Sequence, residues 1–409
     1  MMSVAMIAVA RMGWWHVPLF LASPFTGYVY PNETIVPWSG LIVVYPYITG
    51  LVAGAFIVSS FYHVFGMNQF KPVARLALLT ALAFVICVPV PLLLHLGHPE
   101  RALEAMITPH WSSAFVAFSY VISFYICVLL LETWFAFRAD IVAMAARGRG
   151  LRGFFYRVLS LGSDDVSEHA LAYDHRWAYV LAVIGIPSAA LLHGYVGFVF
   201  GSLKSRQWWS SDLMPIIFLF SAVVSGVALL IVLYVAVSRI RGVEPDKRCL
   251  RGLAVALWSF LILVLVIEAL EYLSMFYRGE EGIGMIKALM RGPLEYWLLI
   301  QWGGSLVALL LLTWLLAFRR TGVFALVVAA ALVLIEVFCM RWNVVIGGQE
   351  LSKTMRGLIY YTPPLLGGDG VFALVMILIL PLLFLWLFVR LFPPWDDMTA
   401  ERDLDVNET

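Results

Sequence analysis

Long apolar runs alternate with short polar connections along almost the whole chain. Nine runs reach the roughly 20 apolar residues a helix needs to cross a bilayer: about 39–66, 74–97, 111–137, 175–201, 212–240, 251–277, 295–318, 321–345 and 369–391. Lipid offers no partner to backbone N–H and C=O groups, so each run is expected to satisfy its own as an α-helix. A further stretch, 3–22, carries Arg11, His16 and Pro18, and reads either as a tenth, poorly hydrophobic span or as an interfacial helix. The pattern predicts an all-α, polytopic transmembrane helix bundle of nine or ten spans. Its organisation is an N-terminal segment 1–38 holding the possible first span, a bundle over 39–391 and a cytoplasmic tail over 392–409. The one long polar connection is 138–174, which Ser163–Asp165 and Glu168 mark as solvated.

Composition supports the same class. Of the 409 residues 62% are hydrophobic and 13% charged, whereas a soluble domain carries roughly a quarter charged residues. The net charge of +1 and the lack of a long basic block argue against a nucleic-acid partner. The four cysteines, Cys87, Cys127, Cys249 and Cys339, form no CxxC pair. The chain is therefore not expected to ligate an iron–sulfur cluster by itself, and the thiols read as small core residues. No residue grouping predicts a metal site. The N-terminus shows no twin-arginine signal or cleavage site, so it is expected to stay attached.

Charge gives the orientation. Seventeen Lys and Arg, among them Lys71, Arg75, Arg138, Arg147, Arg149, Arg152, Arg157, Arg239 and Lys247, lie after the odd-numbered firm spans and in the C-terminus; nine lie on the other side. The richer side is read as cytoplasmic, so loops 98–110, 202–211, 278–294 and 346–368 face outward. Trp14, Trp15, Trp38, Trp111, Trp208, Trp209, Trp342 and Trp395, near span ends, read as an interfacial belt.

Ionisable groups inside spans cost several kcal/mol and are functional candidates by default. On this topology His95 falls near the outer end of the second span, with His98, Glu100 and Arg101 just beyond. His193 falls in the outer half of the fourth, followed by Tyr195. Glu268, Glu271 and Tyr272 lie towards the outer end of the sixth, and Arg341, Asn343, Gln349 and Glu350 at the end of the eighth. Four spans thus carry polar groups at similar depth, which predicts one pocket near the outer surface. Imidazoles, carboxylates and an arginine beside lipid suit a quinone, whose carbonyl oxygens need hydrogen-bond donors and whose reduction takes up two protons. Histidine titrates nearest physiological pH, and a general acid must reach the oxygen it protonates. His95 is the expected proton donor and Arg341 its catalytic partner. His98, Arg101, His193, Glu268, Glu271, Tyr272, Asn343 and Gln349 are the expected quinone-binding residues. Arg341 has a plainer reading, as the buried neutraliser of Glu268 or Glu271, and His193 as a helix-to-helix hydrogen bond. His63, Glu132 and Glu336 form a second set on the inward side that would carry protons towards the pocket.

From Leu94 to Leu103 (LHLGHPERAL) the chain resembles the NrfD-like, polysulfide-reductase membrane-subunit family. Its members often carry an aspartate–leucine–glycine–x–proline–x–arginine motif there; Leu96, Gly97, Pro99 and Arg101 match, and His95 stands where the aspartate is common. Leu192–Gly197 (LHGYVG) is similar to the family's histidine–x–tyrosine–x–glycine stretch, and Trp209–Gly226 fits through Leu213, Met214, Pro215, Ser225 and Gly226. Arg341–Gln349 (RWNVVIGGQ), with Pro37 and Trp38, resembles the longer, ten-helix branch, which includes subunits of periplasmic hydrogenases, sulfite-reduction-associated complexes and menaquinone reductase complexes. The resemblance implies a multi-pass subunit of the cell inner membrane that binds menaquinone near the periplasmic face and holds no haem or cluster of its own. It also implies electron exchange with a ferredoxin-like iron–sulfur subunit docked on Lys204, Arg206, Lys353 and Arg356. Molybdopterin-type or multihaem cytochrome c subunits would complete the complex.

Two rivals remain from the residues alone. His95 and His193 could ligate a haem b as in a cytochrome b-type anchor. A secondary transporter would also be polytopic, but it usually shows internal repeats and midplane charges, and here the polar groups lie off-centre without a repeat.

Overall fold

The computed structural model describes residues 25–279, 282–318 and 322–395. The stretch 3–22 and the tail beyond Trp395 lie outside them. Among the described residues nine helices are long and apolar enough to cross a membrane, and the chain is an all-α polytopic membrane protein. Two four-residue strands are the exception to helix.

Strand β1 (Phe25–Tyr28) precedes the first span, α1 (Gly40–His63), which Ser39 caps by accepting a bond from the Leu41 amide at 3.4 Å. The apolar run 74–97 is divided into α2 (Lys71–Cys87) and α3 (Pro89–His95). Pro89 has no N–H to continue the ladder and its ring crowds the preceding turn. A short α4 (Glu104–Ile107) leads to α5 (Ala114–Arg147), then α6 (Gly150–Leu159) and α7 (Glu168–Gly201). Next come α8 (Met214–Ile240), α9 (Lys247–Arg278), α10 (Ile283–Met290), α11 (Glu295–Ala317) and α12 (Val323–Val345). A single turn, α13 (Gly347–Glu350), strand β2 (Arg356–Ile359) and the last span, α14 (Val371–Leu391), complete the chain.

The centre of the bundle is α1, buried nearly all round and packed on α2, α7, α8 and α12. Its crossing with α8 depends on two glycines. A Cβ on Gly226 would fall within van der Waals distance of the Gly54 backbone, and one on Gly54 would lie 2.7 Å from the Gly226 Cα. Small residues are what allow two backbones to approach in lipid, where the hydrophobic effect does not draw helices together.

The polar connection 138–174 is largely helical, and Asp164, Asp165 and Glu168, which mark it as solvated, are exposed. Helix α5 runs on to Arg147, α6 follows and α7 begins at Glu168. Arg138 and Asp174 are both buried and paired at 2.7 Å, and the Arg138 Nη1 also donates to Ser163 Oγ and the Asp165 carbonyl at 2.9 Å. Arg75 pairs with Asp140 beside them. Charges that read as solvent-facing in sequence are thus matched across elements, which is how buried charge is tolerated.

The span ends that the charge pattern reads as outer are tied together by polar groups from distant parts of the chain. β1 pairs antiparallel with β2, from Phe25 opposite Ile359 to Tyr28 opposite Arg356. Glu33 forms an ion pair with Arg206 at 2.9 Å, and Arg206 Nη1 donates to the Leu351 carbonyl at 3.0 Å. Burial pulls the Arg206 guanidinium below its ordinary pKa and Glu33 opposes that pull. Arg206 is therefore an internal strut, not a docking residue on the surface. Trp208, Trp209 and Trp342 are likewise buried, not members of an interfacial belt. Trp208 Nε1 donates to the Asn343 carbonyl at 2.9 Å and Trp209 Nε1 to that of Val344. Both indoles cap the last turn of α12, whose carbonyls have no helical partner. Trp111 is exposed, as the belt reading requires.

Candidate functional site

Arg341 on α12 is fully buried, at 0% exposure. Its Nη2 donates to Ser221 Oγ at 2.7 Å, to the Phe218 carbonyl at 3.3 Å and to His193 Nε2 at 3.1 Å. The guanidinium lies 3.8 Å from the centre of the Phe218 ring, a placement in which the ring face stabilises the cation. Helix α8 supplies Ser221 and Phe218, and α7 supplies His193. Gly50 of α1 makes room for the imidazole, since a Cβ there would stand 3.2 Å from the His193 Cε1. No carboxylate pairs directly with Arg341 among the described residues. Glu268 and Glu336 act on it through space, so neither Glu268 nor Glu271 forms the buried ion pair that the plainer reading expected.

A second chain of bonds runs beside it. Asn343 Nδ2 donates to Gln301 Oε1 at 2.7 Å, and Gln301 Nε2 donates to Glu268 Oε2 at 2.8 Å. The order is internally consistent: an ionised carboxylate only accepts, so the amide of Gln301 faces it with nitrogen and receives Asn343 at its oxygen. Glu268 Oε1 and Asn343 Oδ1 are buried and have no partner. Both residues line a half-open cleft together with Trp208, Met214, Ile217, Glu271, Tyr272, Met275, Gln301, Met340 and Val344. Four helices, α8, α9, α11 and α12, form its walls. With a rise of 1.5 Å per residue, Glu268 lies about 15 Å and Asn343 about 3 Å from the outer ends of their helices. Glu336 stands further in along α12, beside Glu268, Ser305 and Arg341, and its Oε1 has no partner.

The other expected site residues lie elsewhere. His95 ends α3, partly exposed, close enough to Asp369 of the last outer loop to feel its charge. No hydrogen bond or ion pair among the described residues joins it to Arg341 or His193. His98 pairs with Glu100 at 2.9 Å and Arg101 with Glu104 at 2.7 Å, both on the exposed outer surface. Gln349 is fully engaged: it accepts from the Trp38 amide at 2.8 Å and donates to the Trp38 and Val345 carbonyls at 3.1 and 2.8 Å. His63 bonds Ser59 at the inner end of α1, and Glu132 is buried on α5 with Oε2 unpartnered.

The family model described as polysulphide reductase, NrfD, matches residues 30–352. The chain belongs to the NrfD family. Among curated proteins, this NrfD-family chain is 32% identical over 363 residues to the C subunit of the selenate reductase of Mesobacillus selenatarsenatis, covering 84% of this chain and 83% of that protein. It is 28% identical to the membrane C subunit of a putative dimethyl sulfoxide reductase of Halobacterium salinarum, over 78% of this chain and 70% of that one. It is 24% identical to an Hdr-like menaquinol oxidoreductase integral membrane subunit of Archaeoglobus fulgidus, over 80% and 78%.

The NrfD match contains every residue of both buried networks, from Gly50 to Asn343. Sequence reading missed Gln301, the hinge of the Asn343–Gln301–Glu268 chain, and Ser221, which takes the shortest bond from Arg341. The available signal was an amide in the apolar run of α11. An uncharged side chain costs less in lipid than an ionised one, so it drew less weight.

Proposed function

We propose that this chain is the quinone-exchanging membrane subunit of a multi-subunit respiratory reductase. In this reading a menaquinone-type ring sits in the cleft between α8, α9, α11 and α12, near the outer face, and trades electrons with an iron–sulfur partner. The single observation that carries the reading is the pair of buried, unpartnered acceptors, Glu268 Oε1 and Asn343 Oδ1, in a cleft whose other walls are Glu271, Gln301 and a majority of methionine, aliphatic and aromatic side chains. An apolar ring with two oxygens on its edge matches such a lining, since small-ligand sites are mostly apolar with a few placed polar groups. A carboxyl group serves both redox forms of a quinone: ionised, it accepts from O–H; protonated, it donates to C=O. Glu268 exchanges the proton, Gln301 and Asn343 hold its orientation, and Arg341 supplies the nearby positive charge.

The relatives' names fit this reading: each names a membrane, integral membrane or C subunit of a reductase or menaquinol oxidoreductase. The partner in this proposal is a ferredoxin-like iron–sulfur subunit on the periplasmic side, with Lys204, Lys353 and Arg356 still available at the outer loops. Molybdopterin-type or multihaem cytochrome c subunits, residence in the inner membrane, and proton supply along His63, Glu132 and Glu336 belong to the same proposal. A photoreactive menaquinone analogue, irradiated with the purified complex, tests the location. Crosslinked peptides from α9, α11 or α12 support it. Crosslinks confined to the His95 loop would move the ring to the other side of the bundle.

A further inference from the structure

Helix α6 (Gly150–Leu159) sits on the cytoplasmic side as charge assigns it, and its placement is unusual for a connection. Gly148 and Arg149 alone separate it from the end of α5, and α6 then turns back along that helix, packing against it. Its last residue, Leu159, accepts a bond at 2.8 Å from the indole of Trp134, a residue within the apolar run of α5. Tyr156 donates at 2.8 Å to the carbonyl of Leu391, the last residue of α14. Both bonds anchor the C-terminal half of α6 beside the ends of α5 and α14 that charge assigns to the cytoplasmic side.

The face that α6 turns to the protein is Gly153, Tyr156 and, one turn on, Ser160, all buried. Leu151, Phe154, Phe155 and Val158 follow the spacing i, i+3, i+4, i+7, which makes a single stripe on a helix. That stripe is exposed, Leu151 at 89% and Phe154 at 62%. Arg152 and Arg157 flank it, one on each side, Arg149 precedes it, and all three are exposed. No acidic residue occurs between Asp140 and Asp164. An apolar stripe bordered by arginines is the pattern of a helix lying in a membrane interface, with the guanidinium groups reaching up to phosphate.

We propose that α6 is a docking surface for anionic phospholipid of the cytoplasmic leaflet, with acyl chains on Leu151, Phe154, Phe155 and Val158 and the headgroup phosphate on Arg149, Arg152 and Arg157. The charge complementarity selects the occupant: a neutral leaflet would satisfy the stripe but leave a cluster of positive charge uncompensated.

The test uses the purified complex in phosphatidylcholine vesicles with and without phosphatidylglycerol. A Phe154→Cys change in a Cys127→Ser background carries a fluorophore, and lipids spin-labelled high on the acyl chain act as quenchers. The expected result is strong quenching, deepened by phosphatidylglycerol. Lipid mass spectrometry of the parent is expected to find phosphatidylglycerol retained several-fold above its share of the membrane, and Arg149→Gln/Arg152→Gln/Arg157→Gln to abolish that enrichment while the protein stays folded. A label open to aqueous iodide in the bilayer would overturn the proposal. So would a label shielded from lipid by another subunit, or phosphatidylglycerol retention unchanged in the triple variant.

Discussion

Arg341 donates to the Nε2 of His193 across 3.1 Å. A guanidinium has no lone pair to offer, so this contact defines the histidine as the neutral tautomer with its proton on Nδ1. That Nδ1 is buried and has no partner. The Nε2 lone pair a haem iron would need is already committed to Arg341, and His95, the other ligand of the haem reading, is not joined to this network. The same contact makes the structural reading of His193, a bond between helices, true at the level of geometry: it links α7 to α12.

Removing the acceptor tests that link. His193→Ala removes one of the three acceptors around the Arg341 Nη2, and a hydrogen bond to a charged group is worth about 1.5–3 kcal/mol. The thermal unfolding midpoint in nanodiscs falls, and His193→Gln, whose amide oxygen can accept, recovers most of the loss.

Gly226 is predicted to be intolerant of any side chain. Gly226→Val places carbon against the Gly54 backbone, and overpacking of this kind costs about 1–3 kcal/mol or more. The measured outcome is a lower yield of folded protein in membranes and an earlier loss of monodispersity on heating, with Gly226→Ala intermediate.

The Arg138–Asp174 pair gives an asymmetric expectation. Asp174→Asn strands a buried guanidinium and costs about 3–5 kcal/mol, whereas replacing both partners with apolar residues is far milder. Thermal unfolding of Asp174→Asn against Arg138→Met/Asp174→Leu reads this directly; equal losses would mean the pair carries little of the fold.

Gln301 joins Glu268 to Asn343, and Gln301→Leu removes both bonds with little change in volume. Losing the orientation of Glu268 is expected to slow quinol turnover about tenfold, equivalent to about 1.4 kcal/mol on the barrier. Iron–sulfur and other partner cofactors should keep their spectra.

Much of the fold was legible because lipid leaves so few solutions: an uncharged run of sufficient length has to become a helix, and all nine firm runs do. Part of the grouping was legible too: Arg341 bonds His193, and Asn343 reaches Glu268 through Gln301. The place of His95 was not. His95 stands at the end of α3, which packs on α1 and α2, and sequence position carries no information about which spans adjoin. The pairs Glu33–Arg206 and Arg138–Asp174 were hidden for the same reason. In each pair the partner is supplied by another element, far away along the chain. The glycines at 54 and 226 had no periodic signature; only the crossing of two helices reveals why a side chain is forbidden there.

The most direct measurement compares Glu268→Gln with His95→Gln in the assembled complex, following oxidation or reduction of a soluble menaquinone analogue with partner cofactors verified spectroscopically. The cleft account predicts that Glu268→Gln lowers turnover by about two orders of magnitude, the usual weight of a positioned acid–base group, while His95→Gln stays within a few-fold of the parent. Full activity in Glu268→Gln together with loss in His95→Gln would contradict it.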